Sequence, residues 1–447
     1  MTSKPPPILD DPSPGVLRAL LHAGYDVLWV AAILLLSPFF LLRAAANSTF
    51  RRMARERLGI DLPALAPGKR RVLIHGVSVG EVKGAAPLVR ELRASAPELE
   101  IVISATTETG LEVARQVFPE HTIVRFPIDL SLCVGRFLRR IDPEVVVLIE
   151  LEIWPNFLRQ CNRARIPVAV VNGRITRRSF SRYRWFRRSL PQFNRISLFC
   201  VQLEEYAQRF RELGGSEARV IVTGNMKADG LFREPTPERQ RRVDELRALL
   251  GARDGQVTIV AGSTHAPEES WFAQACAESV PSARVVIVPR HPPRAAEVAR
   301  ELAAVGARPQ LLTDLRRGSE RPDAGRAAVV DTIGELEAVY ELADIVFVGG
   351  SLIAHGGQNM LEPAAQGCAV VYGPHVHNFR QEAALLESAG ASRRVGDRAE
   401  LARALSELAS DAPQRERMAD AARRAVQVQK GATVLTLRAL LDRCWAP

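Results

Sequence analysis

From Arg71 onward, short apolar runs alternate with amphipathic stretches, and this alternation limits the possible folds more than any single motif. Runs rich in valine and isoleucine at Val72–His75, Glu100–Ser104, Thr122–Arg125, Val145–Ile149, Val168–Val171, Leu198–Val201 and Val220–Val222 read as strands. Between them, Gly84–Arg93, Leu111–Phe118, Phe157–Arg163 and Tyr206–Leu213 space their apolar residues as helices do. Strands this continuously apolar need cover on both faces, so the pattern predicts parallel β-α-β units. The stretch Arg233-Glu234-Pro235-Thr236-Pro237-Glu238 interrupts the pattern and reads as a linker. The grammar then resumes with Val257–Ala261, Val285–Val288, Ala328–Val330, Ile345–Val348 and Ala369–Tyr372. A chain of 447 residues also exceeds what one core usually supports. The expectation is an α/β protein of two doubly wound, Rossmann-like domains facing a cleft, with boundaries at 1–48, 49–232 and 233–447 and room for the last helices to cross back to the first domain. In such folds ligands sit at the carboxyl ends of the strands, which makes polar clusters at strand ends the candidate site residues.

The segment 1–48 is different in kind. Val27 to Leu42 is interrupted only by Ser37 and Pro38. As a helix it spans roughly 24 Å at ~1.5 Å per residue, short of the ~30 Å hydrocarbon core of a bilayer. Extension back to Leu17 adds Arg18, His22 and Asp26, spaced along one face. The reading is a membrane anchor that either spans or lies in the interface. Arg43, Arg51, Arg52, Arg55 and Arg57 follow, and the positive-inside rule puts the next domain on the cytoplasmic side, against anionic headgroups. The net charge of +10 is carried by arginine, the lysines being only Lys4, Lys69, Lys83, Lys227 and Lys430. It favours an anionic lipid or headgroup partner. Without zinc spacing, an RNA-binding signature or a basic helix with interleaved aromatics, no nucleic-acid partner is expected. The six cysteines are scattered with no C-x-x-C, as in a reducing compartment.

Seven clusters fall at predicted strand ends. After Asp344–Val348 come Gly349-Gly350-Ser351 and then Gly356-Gly357-Gln358-Asn359-Met360-Leu361-Glu362-Pro363. Bare N–H groups and a helix N-terminus would form an anion cradle there, with phosphate on the glycines. Glu362, on the same helix face as Asn359, would accept from ribose hydroxyls; simple turns and a capping box are the plainer alternative. After the first strand, Ser78, Gly80 and Glu81 fit either a capping box or a general base at Glu81. Glu150 and Glu152 alternate along a strand end and so should share a side, with Arg174 as the neutralising partner. In Gly224-Asn225-Met226-Lys227-Ala228-Asp229, Lys227 offers a compact ammonium that Asp229 could hold, unless this is a surface turn. Gly262-Ser263-Thr264-His265 with Glu268-Glu269, and Gly373-Pro374-His375 with His377-Asn378-Phe379, close two other strands. Arg290, His291 and Arg294 form a cationic cluster suited to a phosphate or carboxylate. No metal, nucleophile-elbow or Walker pattern appears.

Taken in order, these clusters resemble the 3-deoxy-D-manno-octulosonic acid (Kdo) transferases of lipopolysaccharide assembly, from roughly Phe50 to Ala391 and in the anchor. The matching motifs are S-V-G-E, E-x-E-x-W-P-N, N-x-R, G-N-x-K-x-D, G-S-T-H, P-R-H-P-x-R, G-G-S, G-G-x-N-x-x-E-P and G-P-x-x-x-N-F. The resemblance implies a GT-B fold and inverting transfer of Kdo from CMP-Kdo to a phosphorylated lipid A precursor at the inner membrane, without cofactor or essential metal. It implies Glu81 as base, and Arg290, His291, Gly350, Ser351, Asn359, Glu362 and Lys227 at the donor. Ser78, Gly80, Glu150, Glu152 and Arg174 fall to the acceptor side or cleft, in an acceptor-binding first domain and a CMP-sugar-binding second. Gln358 and Met360 stand where many members carry His and Pro, and Gly173 where alanine is usual. A UDP-sugar transferase of the same fold, a sugar-nucleotide epimerase, or a tethered binding protein without catalysis are the alternatives.

Overall fold

The computed structural model describes residues 16–186, 192–231 and 236–445. The linker residues Arg233, Glu234 and Pro235 lie outside the described residues. The chain divides into two compact units, one running to Gly230 and taking in the segment from Lys430, the other Leu231–Gln429.

The N-terminal unit holds β1 (Arg71–Gly76), β2 (Glu100–Ala105), β3 (Thr122–Arg125), β4 (Val145–Ile149), β5 (Val168–Gly173), β6 (Leu198–Val201) and β7 (Val220–Val222). They form one parallel sheet in the order β3-β2-β1-β4-β5-β6-β7. The strand period of two divides β1 cleanly. Val72 and Ile74 pack with Leu88, Leu92 and, from the far end of the chain, Leu440 and Trp445. Leu73 faces the opposite layer, among Phe137, Phe157, Phe199 and Phe210. The helix that Ser78 caps is Val79–Gly84, and the helix expected at Gly84–Arg93 follows it as Ala86–Ser95. Pro87 stands in the first turn of the second, where its missing N–H costs least.

The C-terminal unit repeats the plan with β8 (Thr258–Thr264), β9 (Arg284–Pro289), β10 (Gln310–Leu311), β11 (Ala328–Val329), β12 (Ile345–Val348), β13 (Ala369–Tyr372) and β14 (Ser392–Arg394). Its parallel order is β10-β11-β9-β8-β12-β13-β14. β10 and β14 escape sequence reading because they are only two and three residues long and lack an apolar run. In both units the strand order reverses beside the first strand, between β1 and β4 and between β8 and β12. Such a switch point opens a crevice at the carboxyl ends of the strands.

Ahead of the first sheet, Val16–Ala46 forms one helix of 31 residues with Pro38 inside it. At ~1.5 Å per residue it is about 46 Å long, so it is long enough to cross a bilayer, unlike the Val27–Leu42 core considered alone. Its Leu20–Ala46 part is apolar enough to do so by composition. The arginines that follow make different local contacts, with Arg43, Arg51, Arg52 and Arg55 exposed. Arg55 forms a two-pronged pair with Asp61, and Arg57 is half-buried with its guanidinium 3.4 Å from the Thr106 carbonyl. Arg51 reaches the Ala44 carbonyl and Arg43 lies over the Phe50 ring. All six cysteines are buried free thiols.

Candidate active site

At the N-terminal switch point, β1 ends at Gly76 and Ser78 caps the Val79–Gly84 helix. Glu81, in the first turn, folds back: Oε2 accepts from the Val77 N–H at 2.7 Å and Oε1 from the Ser78 hydroxyl at 2.8 Å. The capping role is therefore real, but it does not exhaust the carboxylate, because each oxygen keeps a further lone pair. Burial raises the proton affinity of Glu81; those two hydrogen bonds and Lys227 lower it, and Glu150 raises it. Gly80 beside it is exposed, and a side chain there would meet only the Ser78 hydroxyl, at 4.0 Å.

Glu150 and Glu152 arrive by a different route from the expected one. β4 stops at Ile149 and Glu150 adopts a left-handed backbone, φ 62°, so strand alternation no longer governs where the two side chains point. Lys227 Nζ, rather than Arg174, pairs with Glu150 Oε1 at 2.6 Å. Arg174 follows β5, where pairing with β6 is irregular between Val170 and Gly173. Burial, then the charges of Glu81 and Glu150, push Glu152 up to about 8 against the smaller opposing effect of Trp154. Glu81, Glu150 and Glu152 thus share one electrostatic neighbourhood with one ammonium.

The lysine is delivered by a chain of local contacts. Asn225 caps the short Met226–Asp229 helix, its Oδ1 accepting from the Lys227 N–H. Buried Asn172 accepts from the Met226 N–H at 3.0 Å. The side chain then passes Gly84, where a Cβ would come within 3.1 Å of Lys227 Cε. Asp229 does not hold the lysine; it accepts from the Gly431 and Thr433 N–H groups and so caps the Ala432–Cys444 helix.

At the C-terminal switch point the anion cradle exists but is filled from within. The N–H groups of Gly350, Ser351 and Leu352 donate to the carboxylate of Glu268 at 2.6, 3.0 and 3.0 Å, and that of His265 at 3.1 Å. Glu268 is fully buried, so those glycine-loop donors are committed to the protein rather than aimed at a phosphate. Gly349 allows the loop to lie against the Ser263 backbone, where a Cβ would meet atoms at 2.5 Å.

Around the outside of this loop sits a cationic group. The rings of His265 and His355 are 4.0 Å apart and those of His265 and His291 5.8 Å. Burial, then His355, His291, Arg290 and Arg294, push His265 down to about 4, and Gln358 Nε2 lies 3.2 Å from its Nε2. Arg290 and His291 are exposed, whereas Arg294 is tied to buried Glu269 at 3.1 Å. Asn359 lies ahead of the helix rather than on its face, since the helix is Leu361–Gln366. Its Nδ2 still donates to Glu362 Oε1 at 3.0 Å and its Oδ1 accepts from the Leu361 N–H. His355 was not singled out in the sequence; its place in a glycine-rich loop was the available signal. Among the described residues, no three His, Cys, Asp or Glu side chains form a metal-binding group.

The N-terminal site residues fall within residues 52–230, which match the family described as 3-Deoxy-D-manno-octulosonic-acid transferase (kdotransferase). Over 426 residues the chain is 31% identical to the 3-deoxy-D-manno-octulosonic acid transferase of Haemophilus influenzae, covering 93% of this chain and 96% of that one. Over 411 residues it is 34% identical to the Bordetella pertussis enzyme of the same name, covering 88% and 90%. The chain belongs to the Kdo transferase family. As a Kdo transferase it is a glycosyltransferase of lipopolysaccharide biosynthesis. Two solved structures bear on its fold alone. UDP-GlcNAc 2-epimerase from Neisseria meningitidis aligns with TM-score 0.55 at 14% identity, over 82% of this chain and all of that one. A glycosyltransferase from Rickettsia africae aligns with TM-score 0.56 at 12% identity, over 84% and 97%. The Kdo transferase fold here is α/β of GT-B type.

Proposed function

We propose that this protein transfers Kdo from CMP-Kdo to a hydroxyl of a phosphorylated, acylated lipid A precursor, with Glu81 as general base. The observation that carries the reading is Glu81 itself, a half-buried carboxylate of raised proton affinity at a switch point, with Glu150 and Glu152 nearby and Lys227 as counter-ion. In the step proposed, the acceptor hydroxyl oxygen bonds to the anomeric carbon of Kdo as the bond from that carbon to the phosphate oxygen of CMP breaks. The hydroxyl proton passes to Glu81, and CMP leaves with the bonding pair. Direct displacement inverts the anomeric configuration.

The C-terminal unit supplies the donor residues in this reading. With the Gly350 and Ser351 N–H groups taken by Glu268, their loop serves as a shaped wall, and charge on the phosphate and the Kdo carboxylate is met by Arg290, His291 and His355. Asn359 and Glu362 are assigned to the nucleoside hydroxyls. A monophosphate leaving group met by side-chain cations needs no divalent metal. For the acceptor, Ser78 and Gly80 flank the base, and Arg174 is assigned to the same side of the reaction. The Arg177–Phe186 helix, a basic helix with aromatics that sequence reading passed over, offers exposed Arg177, Arg178 and Arg182 to lipid phosphates. The long apolar N-terminal helix supports a reading in which the enzyme sits at the inner membrane, with its catalytic units on the cytoplasmic side.

The test is incubation of the purified full-length protein with CMP-Kdo, generated in situ, and a tetraacylated lipid A precursor, beside Glu81→Ala, with the lipid read by mass. A gain in Kdo units that the variant loses supports both reaction and base, and the number of units gives the multiplicity. Binding of CMP-Kdo without transfer would sink the catalytic reading, and use of a UDP-sugar instead would sink the donor.

A further inference from the structure

The N-terminal helix has a second character besides its apolar surface. Leu28, Leu35 and Leu41 are exposed along it, Leu35 to 81%, as an anchor in lipid requires. On another face, His22 is only 3% exposed, and its Nε2 lies 3.3 Å from Arg195 Nη1. One turn later, Asp26 Oδ1 accepts from the Ser131 N–H at 3.0 Å and from Asn156 Nδ2 at 2.8 Å. A tether needs the first face only. The second face is the one on which the sequence places its polar residues.

Asn156 is the last residue of the segment that begins at Glu150 and contains Glu152. The near end of that segment is held by the Lys227 pair at Glu150. Its far end is held by Asp129, whose two carboxylate oxygens accept from the Asn156 and Phe157 N–H groups at 3.0 and 2.8 Å. Asp26 completes this clamp on the Asn156 side chain from the membrane helix.

We propose that Asp26 is a positioning residue for the transfer reaction: the membrane helix sets the placement of the Glu150–Asn156 segment, which carries Glu150 and Glu152. The proposal rests on the Glu81 reading given above. It makes the helix part of the catalytic apparatus rather than a replaceable anchor.

The test uses the full-length protein in phospholipid vesicles, comparing wild type, Asp26→Ala, Asp26→Asn, and a chimaera whose residues 16–46 are an unrelated lipid-binding helix of equal length. Asp26→Ala is expected to lower kcat on the order of tenfold, as small misplacements of catalytic groups do. KM for CMP-Kdo, membrane retention and Tm should stay at wild-type values. Asp26→Asn should recover most of the rate, because its carbonyl oxygen can still accept from both Ser131 and Asn156. The chimaera should stay in the membrane and transfer slowly, while Leu35→Ala transfers at the wild-type rate. A fast chimaera, or an Asp26→Ala loss that follows Tm, would overturn the proposal. Backbone hydrogen exchange over residues 150–157 reads the clamp without substrate: faster exchange in Asp26→Ala is expected, and unchanged exchange overturns the proposal. Absence of Kdo transfer by the wild type, by contrast, would count against the earlier reading of Glu81.

Discussion

Glu81 and Glu268 occupy matching places in the two units. Each follows the first strand of a doubly wound sheet, beside the point where strand order reverses, and burial raises the proton affinity of each. Their partners differ. Glu268 takes four backbone N–H groups, three from the loop after β12, and is sealed from solvent. Glu81 takes one N–H and one hydroxyl, both from its own turn, and stays half-open. The topology brings a carboxylate to each crevice, and the number of donors around it decides what it does there. Four donors make an internal counter-ion that shapes a loop, whereas two leave a group able to accept a proton.

Exchanging the effects of the two glutamates would break this comparison. Glu81→Gln should lower kcat by roughly 10²–10⁴-fold, the range for loss of a general base, while Tm barely moves. Glu268→Ala should do the reverse first. It leaves buried N–H groups without a partner, at about 1–3 kcal/mol for a buried donor, so Tm should fall markedly and CMP-Kdo binding should weaken with it. A stable Glu268→Ala protein with only kcat reduced would put both residues in the same class.

The donor side comes next in size. Arg290→Ala and His291→Ala should each raise KM for CMP-Kdo about tenfold, as loss of a charge-assisted hydrogen bond of ~1.5 kcal/mol would, with smaller effects on kcat. Equal losses in kcat would assign these groups to the transition state instead.

A finer test is the pH profile. As the proposed base, Glu81 must be a carboxylate to act, so kcat/KM should fall as pH drops through its pKa. Lys227 lowers that pKa and Glu150 raises it. Lys227→Met should therefore move the acid limb to higher pH, and Glu150→Gln should move it to lower pH. Limbs that stay put in both variants would remove Glu81 as the titrating base. The smallest expected effect is at Gly350, whose φ of 66° is costly for any residue with a Cβ. Gly350→Ala should lower stability by about 1–2 kcal/mol, measured by denaturant unfolding, and disturb donor binding more than acceptor binding.

Much of this was legible in the chain because it is local. Runs such as Val145–Ile149 and Ile345–Val348 declare themselves by composition, and the clusters that follow them fall where switch points lie. What could not be read is which side chain meets which across long sequence separations. Lys227 and Glu150 are 77 residues apart, and Gly350 and Glu268 are 82 apart, with no periodicity linking either pair. The expected partners, Arg174 for the acids and a phosphate for the glycine loop, were the nearest chemically plausible ones. Both were displaced by residues that only the fold brings near. The positive φ at Glu150 is a further case, since one residue's backbone undoes the alternation that its neighbours obey.

The cap that Asp229 places on the Ala432–Cys444 helix also has a consequence for how the protein is made. Leu437, Leu440 and Trp445 belong to the core around β1, although the ribosome reaches them only after the whole of Leu231–Gln429 has emerged. The first sheet to leave the tunnel must therefore wait, with one layer unfinished, while the second assembles downstream. Synthesis order and completion order are inverted, and the half-built N-terminal unit is the nascent species most in need of a chaperone.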